Sequence, residues 1–491
     1  MLTVEDNELL TRVGPGTPMG RLMRQYWVPA LLSSELSEPD GPPVRVLLLG
    51  ERLIGFRTAN GEVGLIQDHC PHRGASLFLG RNEDGGLRCV YHGWKFDIAG
   101  RCVDMPTEAT GNRQTEAIGN RQQATGDEAE TEAVGNRQQA TGDEADTSAL
   151  STEHSALPLA LAYPCRERNG IVWAYLGPRA TPPPLPDLEA NMLPQGQWTV
   201  TAIQRECNWL QALEGDIDTS HAGLLHFGSL APESQPRGTF SEFLLRERAP
   251  RYAVLDTDGG TTYGAYREAQ PGYRYWRIAH FLLPFYGMPP QGLLGAKIVT
   301  FARVPMDDTH TLTFNMMPRL RPGAAANPAS HRLRNGGDLL PNSTDWYGRF
   351  RLAANSGNDY QLDRPLQRAN HGPDGFSGIR GVGLQDQAVT ESQGAIAERT
   401  QEHLGSSDAM VIRVRRRLLE AVNAFAEHGV TPPGVDNPDV YRVRAGGVFL
   451  PEGADWIEAT RELRQAFVSH DGLDLAVTGP IAAGEFNGRT D

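Results

Sequence analysis

The chain has 491 residues, room for two or three domains, with 39% apolar and 22% charged side chains. Its formal charge of -14 leaves no basic face for nucleic acid, so the acidity reads as solubility. The five cysteines, Cys70, Cys89, Cys102, Cys165 and Cys207, are too few and odd in number for a disulfide scaffold. Met1 to Asn7 offers no basic or apolar leader, and no run of 18 apolar residues exists. The expectation is a cytoplasmic protein with reduced thiols, no membrane span and no nucleic-acid partner.

Residues 1–43 read as an N-terminal helical arm, with one helical pattern over Met19 to Tyr26 ended by Pro29. From Val44 the period changes. Val44 to Leu49, Leu53 to Thr58 and Val63 to Gln67 read as strands, with turns at Gly50-Glu51 and Asn60-Gly61. Strand-like sequence returns at Leu159 to Pro164 and Gly170 to Leu176, so 44–180 forms one small antiparallel domain. Pro182 to Pro186 marks a linker over 181–189, followed by a mixed α and β region over 190–491. Its strand candidates are Ile278 to Leu283, Ala296 to Val304 and His310 to Met317. Its clearest helix is Ala409 to His428, closed by Gly429. Beyond about 440 the sequence carries no recognisable chemistry.

Residues 107–146 interrupt the small domain. TEAIGNRQQATGDEAE (115–130) is followed by TEAVGNRQQATGDEAD (131–146), with a half copy before them. Ile118 and Val134 are the only large apolar residues, and nine acids stand against three arginines. Such a segment cannot bury enough surface to offset its ordering entropy, and reads as a disordered tandem-repeat insert.

Two constellations carry chemistry. In the first, Cys70-Pro71-His72 is followed after 16 residues by Cys89-Val90-Tyr91-His92, both in loops after strand-like stretches. A Cys2His2 set suits a structural zinc or a [2Fe–2S] cluster with two Cys on one iron and two His on the other. The interleaving decides for the cluster, because each loop then gives one ligand to each iron, whereas zinc fingers group Cys with Cys. Gly74 and Gly93 follow the histidines, where tight loops must bring amides toward sulfide. Cys102, Cys165 and Cys207 read as buried thiols.

The second is Asp218-x2-His221-x4-His226. Two histidines and a carboxylate form the facial triad of non-heme Fe(II), which leaves positions open for O2. Residues five apart lie ~140° around a regular helix, so a bend, bulge or helix end is expected between His221 and His226, eased at Gly223.

The first set resembles the Rieske proteins. Ala75 and Tyr91 stand where respiratory Rieske proteins carry an extra disulfide, so the resemblance is to the oxygenase and ferredoxin branch. The second segment resembles the iron motif of Rieske non-heme iron aromatic ring-hydroxylating oxygenases, alpha subunit, in the phthalate and phenoxybenzoate dioxygenase branch. The resemblance implies an α+β architecture: an N-terminal Rieske β domain and a C-terminal helix-grip (START/Bet v1-like) catalytic domain with a curved antiparallel sheet. It implies that Cys70, His72, Cys89 and His92 hold a [2Fe–2S] cluster, that His221 and His226 ligate a mononuclear Fe(II), and that Asp218 bridges to a cluster histidine of a neighbouring subunit. It places a carboxylate ligand late in the chain. Gly381 to Ser392 matches that segment and makes Asp386 the choice over Asp363, Asp374 and Glu391.

The implied activity is that of a terminal oxygenase. It uses O2, with electrons from NAD(P)H through a separate flavin and iron–sulfur reductase, to dihydroxylate a small aromatic substrate, phthalate-like and carboxylated substrates included. The implied assembly is a homotrimer or a multiple of three. The chain has no G-x-G-x-x-G after a strand and no plant-type ferredoxin spacing, so electrons come from outside it. Monooxygenation or O-demethylation of a methoxyarene uses the same iron site, and an electron carrier without oxygenase activity would need the second half to be metal-free. Arg237, Arg246 and Arg248 could clamp a carboxylate, against the ordinary reading of solvated surface arginines.

Overall fold

A computed structural model of the protein describes residues 2–108, 158–296, 298–319, 332–333 and 337–466. Apart from Thr107 and Glu108, the tandem-repeat insert lies outside the described residues.

The N-terminus departs from a purely helical arm. Helices α1 (Val4–Thr11) and α2 (Pro18–Met23) are capped by Thr3 and Thr17, and Trp27–Leu32 is then a fully buried strand. The expected helix over Met19 to Tyr26 stops early because the apolar run WVPALL pairs antiparallel with Ile171–Tyr175. Pro29 sits beside a register shift, the kind of irregularity at which strands accommodate proline. Cys165–Arg168 completes this three-stranded sheet.

Two four-stranded antiparallel sheets follow. One joins Val44–Leu48, Glu51–Arg57, Val63–Gln67 and Ala162–Tyr163; the other joins Arg81–Glu83, Gly86–Arg88, Lys95–Phe96 and Cys102–Asp104. The first turn is Leu49-Gly50, one residue earlier than expected, with φ of 49° and 79° as a two-residue hairpin loop demands. Ile54, Phe56, Ile66, Leu77, Leu87 and Phe96 form a core that also buries Cys70 and Cys89. The proline-rich stretch after this region is fastened down, since Trp27 Nε1 donates to Pro183 O at 2.7 Å.

The second half is built on an eight-stranded antiparallel sheet. Its path runs Trp198–Arg205, Thr311–Pro318, Thr300–Pro305, Tyr286–Met288, Tyr273–Leu282, Gly260–Glu268, Arg251–Thr257. Gly446–Pro451, from the region where sequence offered no chemistry, pairs with Tyr273–Leu282 inside this sheet. A long helix crosses the sheet at Gly260–Glu268 and Arg251–Thr257. It spans Ala409–His428, as its pattern implies, and ends on Gly429 at φ 65°. Met410, Val414, Leu418, Ala421 and Val422 form its buried stripe.

Between sheet and surface lie α3 (Trp209–Ile217), α4 (Ala222–Leu225), α5 (Phe240–Arg246), α6 (Arg364–Ala369) and α7 (Val382–Glu391), with the long helix as α8. Helix α3 is held at both ends. Asn208 caps it and ties it to Thr11 O (2.9 Å) and Asp308 O (2.7 Å). Arg303 Nε binds Asp216 at 2.6 Å, and Arg415 and Arg399 converge on Glu214. Gln211 Nε2 donates to Thr390 O (2.9 Å) and Gly394 O (2.7 Å), which docks α7 beside α3.

Candidate metal centres

The first constellation sits on two loops of the same design. Cys70 N donates to Ala75 O (2.8 Å) and Gly74 N back to Cys70 O (2.9 Å). In the second loop Cys89 N donates to Trp94 O (2.8 Å) and Gly93 N to Cys89 O (3.0 Å). Both glycines have positive φ, 72° and 77°, which a side chain would resist. The loops bring the His72 and His92 rings to 4.4 Å between centroids, and Trp94 stacks on His72 at 4.3 Å. Cys70 and Cys89 are buried while the histidines are half-buried. Burial pushes the Cys70 thiol pKa up, the adjacent Cys89 adds to this, and backbone amides of His72 and Arg73 oppose it. Amides aimed at sulfur, and a buried His72 Nδ1 without a hydrogen-bond partner, are what a metal–sulfide cluster would complete. Cys102 and Cys207 are buried and Cys165 is partly so; burial raises their pKa values to about 11, about 12 and about 12.

In the second constellation α3 ends at Ile217, and Asp218 is extended (φ -86°, ψ 117°). One break therefore falls before His221, and α4 has its own end at Leu225, between the two histidines as expected. His221 and His226 then flank the single turn α4, both in helical conformation, so the chain does not bend at Gly223. Gly223 is small for packing: a Cβ there would lie 3.3 Å from Leu244 O. Asp386 enters from α7. The three ligand-type atoms converge: His221 Nε2 to His226 Nε2 is 3.1 Å, and Asp386 Oδ1 lies 3.4 and 3.2 Å from them. An ion ~2.1 Å from each, the usual metal–imidazole length, fits between them. Among the described residues this is the one His/Cys/Asp/Glu trio whose ligand atoms all converge within 4.8 Å.

The other nitrogen of each ring is held by the protein. His221 Nδ1 faces Asp218 Oδ2 at 3.2 Å, and Asp218 also accepts from Ser220 N (2.7 Å) and His221 N (3.3 Å). His226 Nδ1 faces Gln385 Oε1 at 2.7 Å, and Gln385 Nε2 donates to Ile379 O (2.8 Å) and Asp374 Oδ1 (3.2 Å). The Gln385 amide cannot accept and donate otherwise here, which makes Nδ1 the donor and leaves His226 Nε2 a free lone pair. In the metal-free protein burial disfavours the His221 imidazolium, but Asp218 and Asp386 overcome it and raise its pKa to about 10. Burial works against the Asp386 carboxylate too, yet His221 and His226 hold its pKa far below the usual range. A cleft of about 550 Å³ opens over Asp218, His221 and Asp386.

The rival carboxylates have other tasks. Asp363 caps α6 and pairs with Arg380, Asp374 receives Gln385 and Gly381 N, and Glu391 receives Glu206 N and Tyr360. Arg237, Arg246 and Arg248 are all exposed, and Arg246 is paired with Glu242. Sequence reasoning missed Gln385 and Trp94. Each adjoins a motif that was read, beside Asp386 and two residues after His92, so the local segment was the available signal.

Two such constellations on one chain, one of Cys2His2 type and one of two imidazoles with a carboxylate, define a two-centre metal oxidoreductase. Residues 26–118 match the family described as the Rieske [2Fe-2S] domain, and residues 174–474 match that described as LigXa C-terminal domain like. The chain is 40% identical to the 3-chlorobenzoate-3,4-dioxygenase oxygenase subunit of Comamonas testosteroni, over 95% of this chain and 100% of the relative. It is 35% identical to the phthalate 4,5-dioxygenase oxygenase subunit of Pseudomonas putida (87% of each chain). It is 30% identical to the 5,5'-dehydrodivanillate O-demethylase oxygenase subunit of a Sphingobium strain (85% and 80%). The chain belongs to the Rieske non-heme iron oxygenases, as an oxygenase subunit. It is thus an oxidoreductase of a family that carries one Rieske cluster and one mononuclear iron and uses O2. No helix among the described residues is long and apolar enough to cross a membrane.

Proposed function

We propose that this chain is the terminal oxygenase that dihydroxylates a small aromatic substrate, fed with electrons from NAD(P)H by a separate flavin and iron–sulfur reductase. Cys70, His72, Cys89 and His92 are the cluster ligands, and His221, His226 and Asp386 hold the mononuclear iron. The observation that carries the reading is the convergence of two imidazole Nε2 atoms and one carboxylate oxygen within 3.1–3.4 Å, with both opposite ring nitrogens already engaged. Three protein ligands on one side of an ion leave other positions for O2.

When bound, the two iron centres supply electron transfer and O2 chemistry, and the protein supplies geometry. Gln385 and Asp218 fix the ring orientations of His226 and His221. Asp218 is about a quarter exposed at the cleft, where its carboxylate can accept a second N–H from a cluster histidine of a neighbouring subunit. A cyclic head-to-tail trimer is the assembly that would present one. The names of the 40% and 35% identical relatives, both arene-carboxylate dioxygenases, favour dioxygenation over demethylation.

The test is anaerobic purification with iron and sulfide analysis and EPR before and after dithionite. About three irons and two sulfides per chain are expected for one binuclear and one mononuclear centre. His221→Ala and His226→Ala should each lose the single iron and keep the cluster signal. With a reductase, product should carry two oxygen atoms from one O2. Wild-type protein with two irons would remove the iron assignment and leave an electron carrier; one zinc would remove both centres.

A further inference from the structure

We propose that Trp94 is a positioning residue for the cluster: its indole, stacked on His72, fixes the plane of that imidazole, keeps water off it, and lowers the reduction potential. This role rests on the proposed assignment of His72 as a cluster ligand.

The two ligand loops share a design and differ in the residue that closes them. Cys70 N donates to Ala75 O (2.8 Å), and Cys89 N donates to Trp94 O (2.8 Å). The equivalent closing side chains are therefore a methyl group in the first loop and an indole in the second. The indole reaches across to the first loop. Its ring lies nearly parallel to that of His72, 4.3 Å between centroids at 11°. His92 meets the same imidazole edge-on, 4.4 Å away at 72°. Two ring contacts, one face-on and one edge-on, thus set the plane of His72.

Burial separates the surroundings of the two histidines. Trp94 is 8% exposed and belongs to the core of Leu77, Leu87 and Phe96 that also buries Cys70 and Cys89. Its Nε1 is buried with no acceptor among the described residues, so packing and not a hydrogen bond places the ring. His92 has Tyr91 instead, 3.9 Å away, tilted at 42° and 55% exposed. Water reaches the side of His92 and is kept from the stacked face of His72. A [2Fe–2S] centre with two thiolates and two neutral imidazoles has no net charge when oxidised. It becomes singly negative on taking one electron from the reductase, and no bond forms or breaks. Excluding water disfavours the charged form, so the indole pulls the potential down. The same contact stops the imidazole from rotating.

The test is a redox titration of holoenzyme at one fixed pH, followed by the visible circular dichroism of the cluster and the EPR of its reduced state. Trp94→Ala should shift the one-electron equilibrium ~10-fold toward the reduced form, a rise of ~59 mV, and broaden the EPR lines. Trp94→Phe keeps a flat apolar ring, and should shift the equilibrium ~3-fold or less with wild-type EPR. Phe56→Leu loosens the same core without removing either ring contact, and should lower the melting temperature with the potential unmoved. If Trp94→Ala loses the cluster, Trp94→Leu, which fills more of the space but has no flat face, is titrated in its place, with the same rise expected. An unmoved or lowered potential in whichever of these keeps its cluster signal overturns this role alone. So does an equal rise in Phe56→Leu, or a Trp94→Phe protein that shifts as far as Trp94→Ala, since the indole N–H would then be the cause. Wild-type protein without a [2Fe–2S] signal would overturn the ligand reading and this role with it.

Discussion

Gln385 offers a way to test the proposed iron site without touching a proposed ligand. It is 1% exposed, and its side chain does two things at once: Oε1 accepts from His226 Nδ1 at 2.7 Å, while Nε2 donates to Ile379 O and Asp374 Oδ1. Gln385→Leu keeps the volume approximately and removes all three bonds. The His226 ring then loses the partner that fixes its tautomer, and iron affinity should fall ~10–100-fold. The orphaned Ile379 carbonyl and the weakened Asp374 shell should cost the fold about 1–3 kcal/mol. Gln385→Glu separates these effects. It restores an acceptor for His226, now charged, but faces Asp374 and a carbonyl with no donor. Iron should be held as tightly as in wild type while the melting temperature still drops. The assay is iron retained per chain after dialysis against a graded chelator, with the cluster's visible absorbance as internal control, beside a thermal melt. A Gln385→Leu protein that holds its single iron like wild type would refute the argument that this amide orients His226.

Three further outcomes follow from the geometry. In iron-free protein the His221 pKa is raised from 6.5 to about 10, so its stabilising contribution is complete below about pH 6.5 and lost as pH rises through about 10. Wild type should therefore lose more thermal stability than Asp218→Asn between pH 7 and 10.5, and Fe(II) uptake at pH 7.5 should release about one proton per iron, read with an indicator dye; uptake without proton release would contradict the shift. Gly100 has φ 77° and a Cβ added there would stand 2.0 Å from Ala160 O, so Gly100→Ala should destabilise the cluster domain by about 2 kcal/mol or more and lower cluster occupancy, whereas a wild-type melting curve would show that the backbone gives way freely.

How much of this was legible in sequence depended on distance along the chain. The Cys70/His72 and Cys89/His92 loops are local, and the glycine after each histidine marks the turn that the loop needs, so both could be read from spacing. Asp218, His221 and His226 are local too, but the path between them was not. A period argument required a bend, bulge or helix end between the two histidines; the structure has α4 end at Leu225 between them, but it also breaks the chain earlier, where α3 stops at Ile217, and that the period did not show. Likewise a helical period over Met19 to Tyr26 could not reveal that Trp27–Leu32 has a strand partner in Ile171–Tyr175, more than a hundred residues on. Asp386 lies 160 residues after His226, and residue chemistry alone could not set it above Asp363, Asp374 and Glu391. What sets Asp386 apart in the structure is its approach to His221 and His226, at 3.4 and 3.2 Å, a tertiary contact.

The arginines make the same point in electrostatic terms. A net charge of -14 suggests a surface that repels anions, and Arg237, Arg246 and Arg248 stand near the iron motif in sequence. Yet those three are exposed, with Arg246 neutralised by Glu242, so solvent and a partner screen them.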